Sequence, residues 1–165
     1  MYKRQGLDPA LRADVRNSAL KAVAEAGIPA LLVTHDTNEA MENANHLAIM
    51  RKGTIIQTGS PEDVYMRPVD IETAAALGPT NLIHAGSSLS PLLGEGSVVR
   101  EEGIQINNDG PVHGRIVSLK RTGTTHSVSI EIDGHGLLRG QIPNVLASID
   151  EIVNVSFAPK FVIKF

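Results

Sequence analysis

The feature that most constrains this chain is an apolar run without alternation, Ile28-Pro29-Ala30-Leu31-Leu32-Val33, which ends in Thr34-His35-Asp36. A strand with one wet face alternates apolar and polar residues, so an unbroken run reads as a strand covered on both faces, as in a parallel sheet. Parallel strands need a crossover, usually a helix, and a helix signal stands directly upstream. Asp8 is a suitable N-cap, and Pro9 suits the first helical position, where its missing N–H costs nothing. Leu11, Val15, Ala19, Ala22, Val23 and Ala26 keep to one face, and Gly27 supplies the stop. The spacing predicts a helix over residues 9–26 feeding a strand over 28–34, which is an α/β unit.

Further signals follow in order. Residues 39–44 read as a short helix, and Leu47-Ala48-Ile49-Met50, Lys52-Gly53 and Thr54-Ile55-Ile56-Gln57 read as a hairpin. Ser60-Pro61-Glu62-Asp63 combines a cap, a first-position proline and an acid at the third position, so a helix starts at Pro61 and stops before Pro68. Another helix over 71–77 closes at Gly78-Pro79. Past Asn81 the texture changes: β-branched stretches recur at 114–119, 127–132, 137–142, 152–157 and 162–165, separated by turns such as Asp133-Gly134. Short strands at this spacing predict a small all-β barrel or sandwich. The boundary falls near residue 79, and the Ser/Gly/Pro-rich residues 85–96 read as a loop.

Composition removes several function classes. Fifteen Lys and Arg against eighteen Asp and Glu leave a formal charge of -3, so no basic field exists to hold a phosphate backbone. Aromatics are 3% of residues, with no Trp and all three Phe in the last nine positions, so no platform for stacking bases is present. Nucleic acid is therefore not an expected partner. The absence of cysteine excludes thiol nucleophiles, disulfides and cysteine zinc sites. The apolar run is far short of the roughly 18 residues of a membrane span, and residues 1–5 lack a following apolar stretch of signal-peptide type, which makes a cytoplasmic location the expectation.

The residue that most directly suggests chemistry is His35. In open α/β sheets the ligand crevice lies at the carboxyl ends of the strands, and Thr34-His35-Asp36 would stand there. Neighbours along a strand face opposite ways, so His35 and Asp36 are no ready-made acid/base pair. Asp36 and Glu39 fit better as helix-start acids complementing the dipole.

Several spacings agree with one family at once. Gly6-Leu7-Asp8, the helix, the apolar strand, Val33-Thr34-His35-Asp36, Glu39-Ala40 and the hairpin continuing through Gly59-Ser60-Pro61-Glu62-Asp63-Val64-Tyr65 to Pro68 resemble the ATP-binding subunits of ABC importers. The resemblance implies that Leu7 and Asp8 form the D-loop at an interface between two nucleotide-binding domains. It also implies that His35 is the H-loop histidine, a catalytic and cofactor-binding residue contacting the γ-phosphate of ATP. A histidine so placed can donate to a transferring phosphoryl group. The complete subunit would use ATP and Mg, pair with a second ATP-binding subunit and dock on transmembrane permease subunits at the inner face of the membrane.

The departures are equally specific. No Gly-x-x-x-x-Gly-Lys-Ser/Thr loop occurs, and the family's signature motif and Asp-Glu pair are missing too. The fold expected is therefore α/β: the C-terminal remnant of a P-loop NTPase domain, the ABC ATPase, over residues 1–78, then a small all-β, OB-like TOBE domain over 79–165. Such a chain alone should not hydrolyse ATP. Residues 111–165 resemble a TOBE domain in Gly114-Arg115-Ile116-Val117, Ile142-Pro143 and Phe157-Ala158-Pro159, and a small ligand could bind there. His113, His126 and His135 match no zinc spacing, so no metal site is expected. Residues 73–82 look most like the ferric-iron and polyamine branch. The alternative reading is a non-catalytic ligand-sensing or dimerisation module built on the TOBE-like half.

Overall fold

The computed structural model describes the backbone of residues 9–165, with the side chains of residue 11 and residues 14–165. The chain divides into two compact units, one through Asn45 and one from His46 to Phe165.

In the first unit, α1 (Pro9–Ala26) ends as its glycine predicts. Gly27 takes φ 64°, its N–H reaches Ala24 O at 3.2 Å, and Ile28 N–H reaches Val23 O at 3.4 Å. These two bonds form a Schellman motif, which returns partners to carbonyls that the helix end leaves open. After residues 28–36 comes α2 (Thr37–Asn43), two residues ahead of the expected start. The strand expected over 28–34 does not form: no ladder includes it, Leu31 is 91% exposed and Val33 is 86% exposed. The physical reason is that a strand exists only with a neighbour to take its N–H and C=O groups. Among the described residues no strand pairs with this one. None of the described side chains through Asn45 is buried.

The second unit begins with the hairpin β1 (Leu47–Arg51) and β2 (Thr54–Gly59). Lys52 and Gly53 both take positive φ, 50° and 81°, as a two-residue hairpin turn of the favoured hand requires. Next come α3 (Pro61–Met66), α4 (Ile71–Leu77), β3 (Thr80–Leu82) and α5 (Ser90–Leu93). This last helical turn lies inside the stretch expected to be all loop, and it exists because Leu89 and Leu93 bury themselves in the core. There follow β4 (Val98–Arg100), β5 (Ile104–Ile106), β6 (Val112–Thr122), β7 (Thr125–Ile132), β8 (Gly136–Ile142), β9 (Ile152–Phe157) and β10 (Val162–Ile163).

Two further sheets result, ordered β10-β4-β3 and β5-β9-β6-β7-β8. Every ladder among the described residues is antiparallel, so the expected parallel sheet is replaced by antiparallel ones. The five-stranded sheet curls into a half-barrel compatible with an OB-like domain. Two glycines allow the curl. A Cβ on Gly140 would come within 3.0 Å of Ile104 on β5, and one on Gly114 within 2.4 Å of Ile132. Ile83, Leu89, Val99, Ile116, Val128, Ile130, Leu138 and Val155 fill the interior.

Arg100 joins the helices of this unit to its β layer. Its side chain is fully buried, and it donates to Ala74 O at 2.7 Å, Tyr65 O at 2.9 Å and Gly78 O at 3.3 Å. Its guanidinium lies 3.9 Å from the centre of the Tyr65 ring. Two of these carbonyls lie at or next to the C-terminal ends of α3 and α4, where the helix dipole is negative, and the nearby Glu102 carboxylate adds to the favourable field without a direct ion pair.

Candidate functional site

His35 sits in the bend between residues 28–34 and α2, and its side chain is exposed. The polar residues around it form a connected network. Asp36 caps α2, its Oδ1 accepting from Glu39 N–H at 3.1 Å. Thr34 Oγ1 accepts from Asp36 N–H at 3.0 Å and donates to Glu39. Arg16 Nη1 completes the set with a 3.1 Å bond to the other Glu39 oxygen. The Thr34 hydroxyl first, and Arg16 second, hold the Glu39 carboxyl below its ordinary range.

Asp36 and Glu39 thus serve the helix start, as expected from their positions. What the spacing missed is that Glu39 also binds Thr34 and Arg16; the Arg16 contact spans 23 residues and leaves no local signal. The His35 imidazole makes no hydrogen bond among the described residues. The loop is fixed by its neighbours while the ring stands free as a donor or acceptor toward solvent. Leu7 and Asp8, the other two site residues expected from the sequence, lie outside the described residues.

The second unit holds polar groups that the sequence did not single out. Arg51 makes a two-pronged pair with Asp70 at 2.8 and 2.9 Å and also reaches Thr73 and Glu72. Asp70 in turn caps α4 through Thr73 N–H at 2.7 Å, and Arg51 holds its carboxyl far below the usual carboxylate range. Tyr65 donates to Glu102, and burial, aided by that bond, pushes its phenol up to about 12. These groups pair with one another, so their evident role is to hold the α3–α4 segment. Of the three histidines noted in the β half, His113 bonds Asn154 Oδ1 at 2.7 Å and His135 bonds Ser87 Oγ at 2.7 Å. No group of three or more histidines and carboxylates able to hold a metal ion occurs among the described residues. No helix among them is long and apolar enough to cross a membrane.

No family model matches the chain. Similarity to individual proteins is extensive. The Fe(3+) ions import ATP-binding protein FbpC of Serratia marcescens is 44% identical over 79 residues, covering 48% of this chain and 23% of that protein. FbpC of Yersinia enterocolitica is 42% identical over 77 residues, covering 47% of this chain and 22% of its own length. FbpC 2 of Rhodococcus jostii is 33% identical over 143 residues, covering 77% of this chain and 41% of that protein. The chain therefore spans between about a fifth and two fifths of the length of these relatives.

Proposed function

The chain is related to the ATP-binding subunits of ferric-ion ABC importers, and from that kinship we propose that it is the C-terminal portion of such a subunit. In the complete subunit it would help couple ATP hydrolysis to the import of ferric iron. The observation that carries the reading is the 44% identity over 79 residues to a protein named for ATP binding in Fe(3+) import, together with the small share of that protein covered. Residues 1–78 are assigned to the end of the nucleotide-binding domain and 79–165 to a TOBE-like domain.

In this reading His35 contacts the γ-phosphate of ATP, while Leu7 and Asp8 line the interface with a second ATP-binding subunit, most simply a second copy. Permease subunits hold the assembly at the cytoplasmic face of the membrane. The exposed imidazole and the network that fixes its loop support the His35 role, because a donor held in place before the reaction stabilises charge without reorganising. ATP and Mg belong to the complete subunit. The residues that cradle phosphate in this family are absent here, so the chain alone is assigned no turnover. A second reading, a ligand-sensing module without catalysis, draws support from the second unit's own closed core.

The test is a full-length subunit made by joining residues 6–165 to the upstream part of the Serratia relative. Its ATP affinity, hydrolysis rate and thermal midpoint are measured with and without His35→Ala. Loss of the imidazole should lower turnover by about a hundredfold or more with affinity and midpoint nearly unchanged, since the contact strengthens only in the transition state. Parallel losses in affinity, rate and midpoint would make His35 a packing residue and overturn its assignment.

A further inference from the structure

Strands β3 and β8 lie at the edges of different sheets and form no ladder with each other. One side chain stitches them together. Buried Asn81 donates from Nδ2 to Arg139 O at 2.8 Å, and its Oδ1 accepts from Arg139 N–H at 2.7 Å, replacing one rung of the missing ladder. Around this stitch the edges stay apart and leave a cavity of about 290 Å³, lined among others by Leu82, His84, His135, Leu137 and Arg139. That volume lies at the lower end of small-molecule sites.

Three of these lining residues carry or can acquire positive charge. Among the described residues the Arg139 guanidinium and the His84 imidazole form no hydrogen bond or ion pair. Ser87 Oγ accepts from Leu89 N–H at 3.1 Å and shares a 2.7 Å hydrogen bond with His135 Nδ1, which holds the ring in place and leaves Nε2 without a partner among the described residues. Burial first, and the neighbouring His84 second, push His135 toward its neutral form, a cost that an arriving anion would relieve. The carboxylates of the packed elements leave room for that anion. Glu101 feels Arg139 without reaching an ion pair, Glu95 accepts from Gly86 N–H at 3.4 Å, and Glu131 and Asp133 are exposed.

We propose that this gap is a binding site for a small organic carboxylate, its charge held by Arg139, His84 and His135 and its carbon body set against Leu82 and Leu137. The guanidinium fork matches a carboxylate in two places, which favours this class. The two leucines and the volume favour an organic body over a bare inorganic oxyanion. The site lies within the second unit and does not rest on the importer reading, so its failure would leave that reading untouched.

Citrate is the probe and inorganic phosphate its control, each titrated calorimetrically into the full chain at about pH 6 and about pH 8, the window in which histidine changes charge. Citrate should bind saturably, about fivefold or more tighter at the lower pH, and should shift the His135 ring signals in NMR spectra. Arg139→Gln, at an exposed side chain, should keep the thermal midpoint and weaken citrate about tenfold or more, the worth of a hydrogen bond to a charged group. His84→Gln should also weaken citrate, by about threefold or more, the worth of one hydrogen bond. Absence of saturable citrate binding, equal binding by Arg139→Gln, or phosphate binding as tightly as citrate would each overturn the proposal. So would zinc binding through the two histidines that Arg139→Gln leaves intact, since that would make the gap a metal site.

Discussion

Helices α2 and α3 are capped alike: in each, the backbone N–H three residues past the cap is taken by the cap side chain at 3.1 Å. Yet α2 buries no residue, whereas α3 buries Val64 completely. The same contrast separates the whole units. Through Asn45 the chain has a Schellman stop, a good cap and a six-residue apolar run, and no described side chain is buried. From His46 onward comparable local signals lead to closed ladders and an apolar interior. Local chemistry decides where a helix begins and ends, but burial comes only from partners distant in the chain.

The largest expected consequence is in amide exchange. Amides of residues 30–34 have no ladder and should exchange near the rate of an unstructured peptide, while the paired amides of β6, β7 and β9 should be protected on the order of 10⁴-fold or more, up to the global stability. Hydrogen exchange read by mass spectrometry or NMR checks this. Protection of residues 30–34 equal to that of β7 would mean that the apolar run has found a strand partner, and the contrast between the units would fall.

This contrast also explains which parts of the fold could be read in advance. The stop at Gly27, the turn at Lys52-Gly53, the cap at Ser60 and most of the long β stretches are written in adjacent residues, and all were legible. The strand over 28–34 was misread because lack of alternation reports what a segment needs around it, not what it obtains. Three-residue strands such as β3, β4 and β5 are too short to show a period, and contacts from remote residues define them. At the candidate site, His35 and the helix-start acids could be picked out from their order along the chain. Arg16 on Glu39, Arg100 on three carbonyls and Asn81 on β8 could not, because each joins residues more than 20 positions apart.

Arg100 offers the next largest effect. Replacing it with Met keeps much of the apolar volume but leaves the carbonyls of Tyr65, Ala74 and Gly78 without their donor in a buried place. With a cost of about 1–3 kcal/mol for each buried group left unpaired, the second unit should lose about 3 kcal/mol or more, read as a lower urea midpoint. An unchanged midpoint would mean that the desolvation cost of the guanidinium matches everything it gains, and that the α3–α4 segment is held by its other contacts.

The smallest effect sharpens the comparison most, because it changes the same chemistry in both units. Ser60→Ala removes the bond from Asp63 N–H and should lower the stability of the second unit by about 1 kcal/mol, since α3 is packed through buried Val64 and tied to β4 by the bond from Arg100 to Tyr65 O. Asp36→Ala removes a bond of equal length from α2. Here the helix has no buried residue to transmit the loss, so the main unfolding midpoint should stay where it is, while α2 amides exchange faster and helical signal falls slightly. Measuring both variants in one urea series, with exchange rates for α2 and α3 alongside, separates local from global effects. If Asp36→Ala moved the main transition as far as Ser60→Ala, the two units would share one cooperative unfolding step, and exposure of the apolar run could not be attributed to a missing partner strand.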